Sequence, residues 1–112
     1  IPALILQPLV ENAMVHGLEQ KPGKGLLSLR GFRKENTVVF EVEDDGIGIS
    51  KTELKKLHAS LASEGTEEHI GLINVHKRIR LYYGQSYGIK IASTEGKGTL
   101  VTLTLPYAPE RL

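Results

Sequence analysis

Changes in the period of apolar residues mark out the elements of this chain. Over residues 3–18 they fall at Leu6, Leu9, Val10, Ala13, Met14 and Leu18, the spacing of one helical face. Pro2 suits a first turn, and Pro8 is expected to kink or restart the helix. Gly17 and the stretch GLEQKPGKG end it in a loop. Residues 26–32 and 37–44 then alternate with period two, two strands joined by the turn Arg33-Lys34-Glu35-Asn36. In the second strand Val38, Phe40 and Val42 point one way, and Val39, Glu41 and Glu43 the other. Residues 51–61 read as a short helix, with Ser50 as its N-cap and Glu53 at capping-box spacing. The segment 62–69, ASEGTEEH, is polar and has no period. Residues 70–83 form an amphipathic helix with the stripe Leu72, Val75, Ile79 and Tyr82, stopped by Gly84. Two more alternating strands, 87–94 and 99–105, are linked by EGKG and closed by Pro106.

Two hairpins interleaved with amphipathic helices predict an α/β (α+β) two-layer sandwich: a mixed, mostly antiparallel sheet covered on one face by about three helices. A Rossmann-type sheet would need strands alternating with helices. The chain has 112 residues and reads as one domain, 1–112. Fourteen basic and thirteen acidic residues leave a formal charge of +1, which gives nucleic acid or an anionic membrane no electrostatic hold. No cysteine is present, so disulfide and thiolate chemistry are excluded. No apolar run approaches the ~18 residues of a membrane span, and no secretory signal is visible. The opening IPALILQPLVENA has no initiator Met, so a fragment of a longer protein is expected.

The chemistry concentrates in VEDDGIGI, residues 42–49, where three acids run into two glycines. An EF-hand loop with Gly46 at its sixth position needs Glu at the twelfth, which is Thr52. A dinucleotide fingerprint needs a third glycine, and Ser50 and Lys51 follow instead. A P-loop needs Gly-Lys-Ser/Thr, whereas Lys24 and Lys97 are each followed by Gly. His16, His58, His69 and His76 show no zinc-ligand spacing. Four separated pieces remain: Asn12 in QPLVENAMVHG, Asp44 leading Asp-Asp-Gly-Ile-Gly, Gly71-Leu72 opening a helix, and Gly96-x-Gly98-Thr99 opening the last strand. In order, spacing and type they resemble the N, G1, G2 and G3 boxes of the GHKL (Bergerat) ATP-binding fold, which includes gyrase, Hsp90, MutL and histidine kinases. LQPLVENAMVHG, HIGLINVHKRIRLYYG and TEGKGTLVTLTLP resemble the catalytic domain of LytS/YesM-type sensor histidine kinases, over essentially the whole chain.

The resemblance implies ATP and Mg²⁺ as ligands and gives the residues roles. Asn12 is the metal-contacting Asn, its amide oxygen joining phosphate oxygens around Mg²⁺. Asp44 accepts from the adenine amine. Gly46, Gly48 and Ile49 shape the approach to the ring, and Thr99 supports the adenine site through its hydroxyl. Backbone N–H groups at Gly71 and Leu72 meet the phosphates. Residues from about 50 to 70 become the ATP lid. Asp45 reads as a solvated turn residue. Glu11 is open between a surface residue and a base or water-positioning group, and His16 between nucleotide packing and a core edge. Arg78, one turn after Asn74, is open between an ion pair and a phosphate contact. Val15 departs from the phosphate-contacting lysine of many kinases, and His69 from the first glycine of the lid hinge, with Gly65 as a substitute source of flexibility.

The function implied is that of the cytoplasmic catalytic domain of a membrane-anchored bacterial two-component sensor. It would transfer the ATP γ-phosphoryl to a histidine on an upstream dimerisation domain, which then serves a response regulator. Neither nucleic acid nor the membrane would touch this domain. One alternative is an ATP-gated clamp of the gyrase, Hsp90 or MutL sort, which would place a catalytic Glu where this chain has Pro8. The other is a degenerate interaction module that binds no nucleotide.

Overall fold

Two hairpins form a single four-stranded sheet: β1 (Leu27–Lys34) with β2 (Thr37–Asp44), and β3 (Gly88–Thr94) with β4 (Gly98–Pro106). The strand order is β1-β2-β4-β3, and every ladder is antiparallel. The computed structural model describes residues 3–18, 21–62 and 70–107. The central β2–β4 ladder runs from Thr37↔Pro106 to Asp44↔Thr99, so the G1 aspartate and the G3 threonine stand opposite each other. The other neighbour of Asp44 is Leu27 of β1.

Helices α1 (Ala3–Asn12), α2 (Lys51–Ala62) and α3 (Ile70–Tyr83) supply the second layer. Alternation directs Val42, Val101, Leu103, Leu105, Ile89 and Ile91 to this face, where Leu9, Leu57, Leu61, Leu72, Ile73 and Ile79 meet them. Each such fully buried aliphatic side chain contributes about 1.5–3 kcal/mol. The open face of the sheet is polar, with Arg30 of β1 bridging Glu41 and Glu43 of β2 at 3.0 Å each. β1 is an edge strand without a fully buried residue, and Leu29 and Phe32 stay exposed on it.

Several boundaries differ from the sequence expectation. The first helix continues through Pro8, and its irregularity falls later, in a π-helical segment at Ala13–Leu18. β1 extends to Lys34, so the hairpin turn is only Glu35-Asn36, with Glu35 at φ 55°. Tyr82 is 72 % exposed and leaves the α3 stripe. From Ile79 the buried face advances four residues to Tyr83, not three, and His76 joins it. The helix at 51 begins as expected, with Ser50 Oγ accepting the Glu53 N–H at 3.2 Å.

Candidate functional site

The Asp44 carboxylate is the centre of the arrangement. It sits at the end of β2, only 5 % exposed, and its Oδ1 accepts the Gly46 N–H at 2.9 Å. Burial pushes its pKa above the ordinary carboxylate value, opposed by the Gly46 backbone, raised further by Asp45, opposed by Thr99 and raised by Glu43. The two flanking acids are tied off. Asp45 takes the Leu26 N–H at 2.7 Å and Lys21 Nζ at 3.2 Å, which in that order hold its pKa low. Glu43 takes Arg30. Among the described residues Asp44 alone of the three has no cation. Asp45 is therefore an anchor joining β2 to the loop before β1, more than the solvated turn residue expected.

Glycines from different elements pack closely around the Asp44 turn, Gly17 against the carboxylate itself. A Cβ on Gly17, in the π segment, would lie 2.6 Å from Asp44 Oδ1. One on Gly46 would fall inside the Gly17 backbone, and one on Gly98 would overlap the Asp44 carbonyl oxygen. Gly48, at φ 73°, has no room for a Cβ beside the Thr94 carbonyl. Glycine is needed here because backbone packs on backbone around one carboxyl group. The sequence alone assigns that need to the approach of a ring. The loop is also clamped from both sides: Ile47 N–H donates to Gly17 O at 3.3 Å, and Ile47 O accepts from Gly96 N–H at 2.6 Å.

Ser93 of β3 is a residue at the site that sequence reasoning missed. Its Oγ accepts the Ile49 N–H at 2.8 Å, donates to Gly98 O at 2.8 Å and meets Thr99 Oγ1 at 2.9 Å. With the Ser93 proton spent on Gly98, the Thr99 hydroxyl is the donor of that last pair. One hydroxyl thus fixes Ile49 and Thr99 together. A serine in an alternating strand carries no signal of this kind; only the β3–β4 pairing brings it there.

Asn12 closes α1 with 8 % exposure, directly before the π segment that carries His16 and Gly17. Local π-helix is frequent at functional sites. Here it lets the Gly17 carbonyl reach Ile47 while Asn12 stays buried. Glu11 faces outward and accepts from Gln7 Nε2 at 3.0 Å. Val15 is exposed.

Gly71 in the first turn of α3 rests on Pro8, its Cβ position 3.4 Å from the proline Cβ. Leu72 is wholly buried in the core, so only its backbone is left for a phosphate. Asn74 and Arg78 are exposed, and Arg78 has no ion pair among the described residues. Of the expected lid, 51–62 is a regular helix anchored by Leu57 and Leu61, while 63–69, with Gly65 and His69, lies outside the described residues.

No group of three or more His, Cys, Asp or Glu side chains able to hold a metal occurs among the described residues. The neutral amide of Asn12 fits a Mg²⁺ that brings phosphate oxygens as its other ligands, since Mg²⁺ is commonly held by few protein groups. Asn12 would supply one oxygen.

A four-stranded antiparallel sheet under three helices, with a buried strand-end carboxylate packed among glycines and a buried Asn at the end of the first helix, defines the chain's class as a GHKL-type fold. The family model described as "Histidine kinase-, DNA gyrase B-, and HSP90-like ATPase" matches residues 2–109, and the chain belongs to that family. It is 39 % identical over 106 residues to the sensor histidine kinase YpdA of Escherichia coli, covering 95 % of this chain and 18 % of the relative. It is 36 % identical to the sensor histidine kinase YesM of Bacillus subtilis, covering 95 % of this chain and 17 % of that protein. The chain thus spans under a fifth of these relatives. It is a GHKL domain homologous to the LytS/YesM/YpdA group of sensor histidine kinases. The histidine kinase domain of a blue-light activated kinase from Erythrobacter litoralis shares the fold, with TM-score 0.63 at 20 % identity, covering 92 % of this chain and 42 % of that one.

Proposed function

We propose that this domain binds Mg-ATP and serves as the catalytic domain of a two-component sensor histidine kinase. It would pass the γ-phosphoryl to a histidine on an upstream dimerisation domain that a response regulator then reads. The observation that carries the reading is the buried Asp44 carboxylate, without a cation among the described residues, held by Gly46 and flanked by Thr99 and the π segment after Asn12. A carboxylate so fixed is a strong acceptor for the exocyclic amine of adenine. Asn12 would contribute its amide oxygen to Mg²⁺, and the first-turn backbone of α3 at Gly71 and Leu72 would face the phosphates. Gly48 and Ile49 would bound the base, and His16 would lie near it in the π segment. Phosphoryl transfer asks chiefly for positioning and charge neutralisation. Glu11, engaged by Gln7 on the outer face, has no part in this reading.

The clamp reading is weaker because Pro8, which rests against Gly71, stands where those ATPases generally keep their glutamate. Calorimetric titration with Mg-ADP tests the proposal: saturable binding, lost in Asp44→Ala with the fold retained, is expected. No binding would refute it, and brisk ATP hydrolysis by the domain alone would favour the clamp. Phosphoryl transfer would be assayed with the full-length sensor, where the acceptor histidine is present.

A further inference from the structure

Away from the nucleotide site, α2 and α3 bring basic side chains to one void, and Lys90 of the edge strand β3 borders it. A cavity of about 390 Å³ lies between α2, α3 and the edge strand β3, lined by His58, His76, Arg80, Lys90, Ile89 and Ile91 among others. A second, of about 230 Å³, adjoins it and shares His76, Arg80, Ile89 and Lys90. Among the described residues no Asp or Glu lines either one. Neither Arg80 nor Lys90 has an ion pair among the described residues.

The backbone adds donors. Ile89 N–H donates to His76 Nδ1 at 2.9 Å, and Ile91 O accepts from His58 Nε2 at 3.0 Å. Both groups point away from β4, so Ile89 and Ile91 occupy non-hydrogen-bonded pairs of the β3–β4 ladder. The Ile91 N–H must then also face outward, toward the cavity. Because Nδ1 of His76 accepts, its proton is on Nε2. Every fully buried polar side-chain atom among the described residues is hydrogen-bonded, and Nε2 has no partner there, so it borders the void. Arg80 spends Nε on Tyr87 O and Nη1 on Gln85 Oε1, leaving Nη2. Against these donors, the ladder geometry supplies two outward acceptors, Ile91 C=O, which His58 already engages, and Ile89 C=O.

We propose that this cavity at the β3 edge binds a small oxyanionic ligand, a phosphate or carboxylate group on a compact body. Arg80 and Lys90 supply the charge, and His76 Nε2–H and Ile91 N–H supply direction. The volume lies at the lower end of small-molecule sites, roughly 300–1,000 Å³. The site uses none of the residues assigned to ATP, so it stands independently of the nucleotide reading.

The test follows the imidazole resonances of His58 and His76 by NMR. The domain is titrated with inorganic phosphate and, separately, with acetate, at ionic strength held constant by chloride. Saturable shifts of both histidines are expected with at least one probe, and the probe that saturates assigns the anion class. Arg80→Gln should abolish them. Lys90→Gln, at an exposed position that leaves the fold alone, should weaken binding by up to about fivefold. Linear, unsaturating shifts with both probes, or saturable ones unchanged in Lys90→Gln and Arg80→Gln alike, would mark an adventitious ion only and overturn the assignment.

Discussion

Gly17→Ala separates ligand recognition from folding. The new Cβ would lie 2.6 Å from Asp44 Oδ1 and 2.8 Å from its Cγ, where ordinary contact begins at 3.4 Å. The obstacle is the end of a side chain, so the carboxyl group can yield by about 0.8 Å without moving backbone. A hydrogen bond made at roughly 2.9 Å then stretches to about 3.7 Å and ceases to be one. Losing one bond to an ionised group is worth about 1.5–3 kcal/mol, a roughly ten- to hundredfold loss of affinity. The Gly46 N–H bond to Oδ1 loosens with the same shift, so the melting temperature should fall by several degrees while the fold is kept. Gly46→Ala makes the contrast: its Cβ meets the Gly17 backbone, which cannot swing aside, so this variant should lose stability outright. The assays are calorimetry with Mg-ADP and thermal unfolding. Affinity within threefold of wild type in a folded Gly17→Ala protein would refute the argument that Asp44 is held in place by the missing side chain.

Asp44→Asn should abolish nucleotide binding and raise the melting temperature of the ligand-free domain at pH 7. The folded-state pKa of Asp44 is raised, so its favourable contribution is present in acid and lost as pH rises through that value. The gain should therefore vanish when melting is measured below about pH 4, where wild-type Asp44 is protonated. Ser93→Ala strips partners from Ile49 N–H, Gly98 O and Thr99 Oγ1 and should cost about 1–3 kcal/mol in chemical denaturation, with weaker nucleotide binding. Burial first, then the charges of Arg80 and Lys77, lowers the His76 pKa. Stability from His76 is full above its ordinary value of about 6.5 and falls as pH drops below it. His76→Gln should flatten the pH dependence of melting between about pH 7 and 5.

Local signals reached the elements and fell short of their assembly. The Ser50 cap, the 70–83 helix and the strand alternation depend on neighbours within a turn, and the structure keeps them. The placement of β4 between β2 and β3 depends on contacts dozens of residues apart, so neither the Asp44–Thr99 pairing nor the role of Ser93 could be read. The π segment was hidden because Ala13, Met14 and Leu18 continue an α-helical spacing by residue type, although Met14 is exposed. Tyr82 failed for a related reason. Three- and four-residue steps along a helix are equivalent in sequence, and packing against the sheet chose Tyr83.

The same division explains why three consecutive acids are tolerated at the end of a central strand. Placed side by side in water-poor surroundings they would drive one another toward protonation. Arg30 draws Glu43 to the open face of the sheet, and Lys21 with the Leu26 N–H draws Asp45 to the loop. What remains on the helix-facing side is one carboxylate steadied by the Gly46 and Thr99 backbone and, among the described residues, no cation. Motif matching finds that aspartate, but its availability is made by Lys21 and Arg30, two exposed residues outside every motif. Each exposed pair, screened by solvent, contributes little to stability. Their larger effect is to leave residue 44 as the one acid at this strand end still in need of a positively polarised partner.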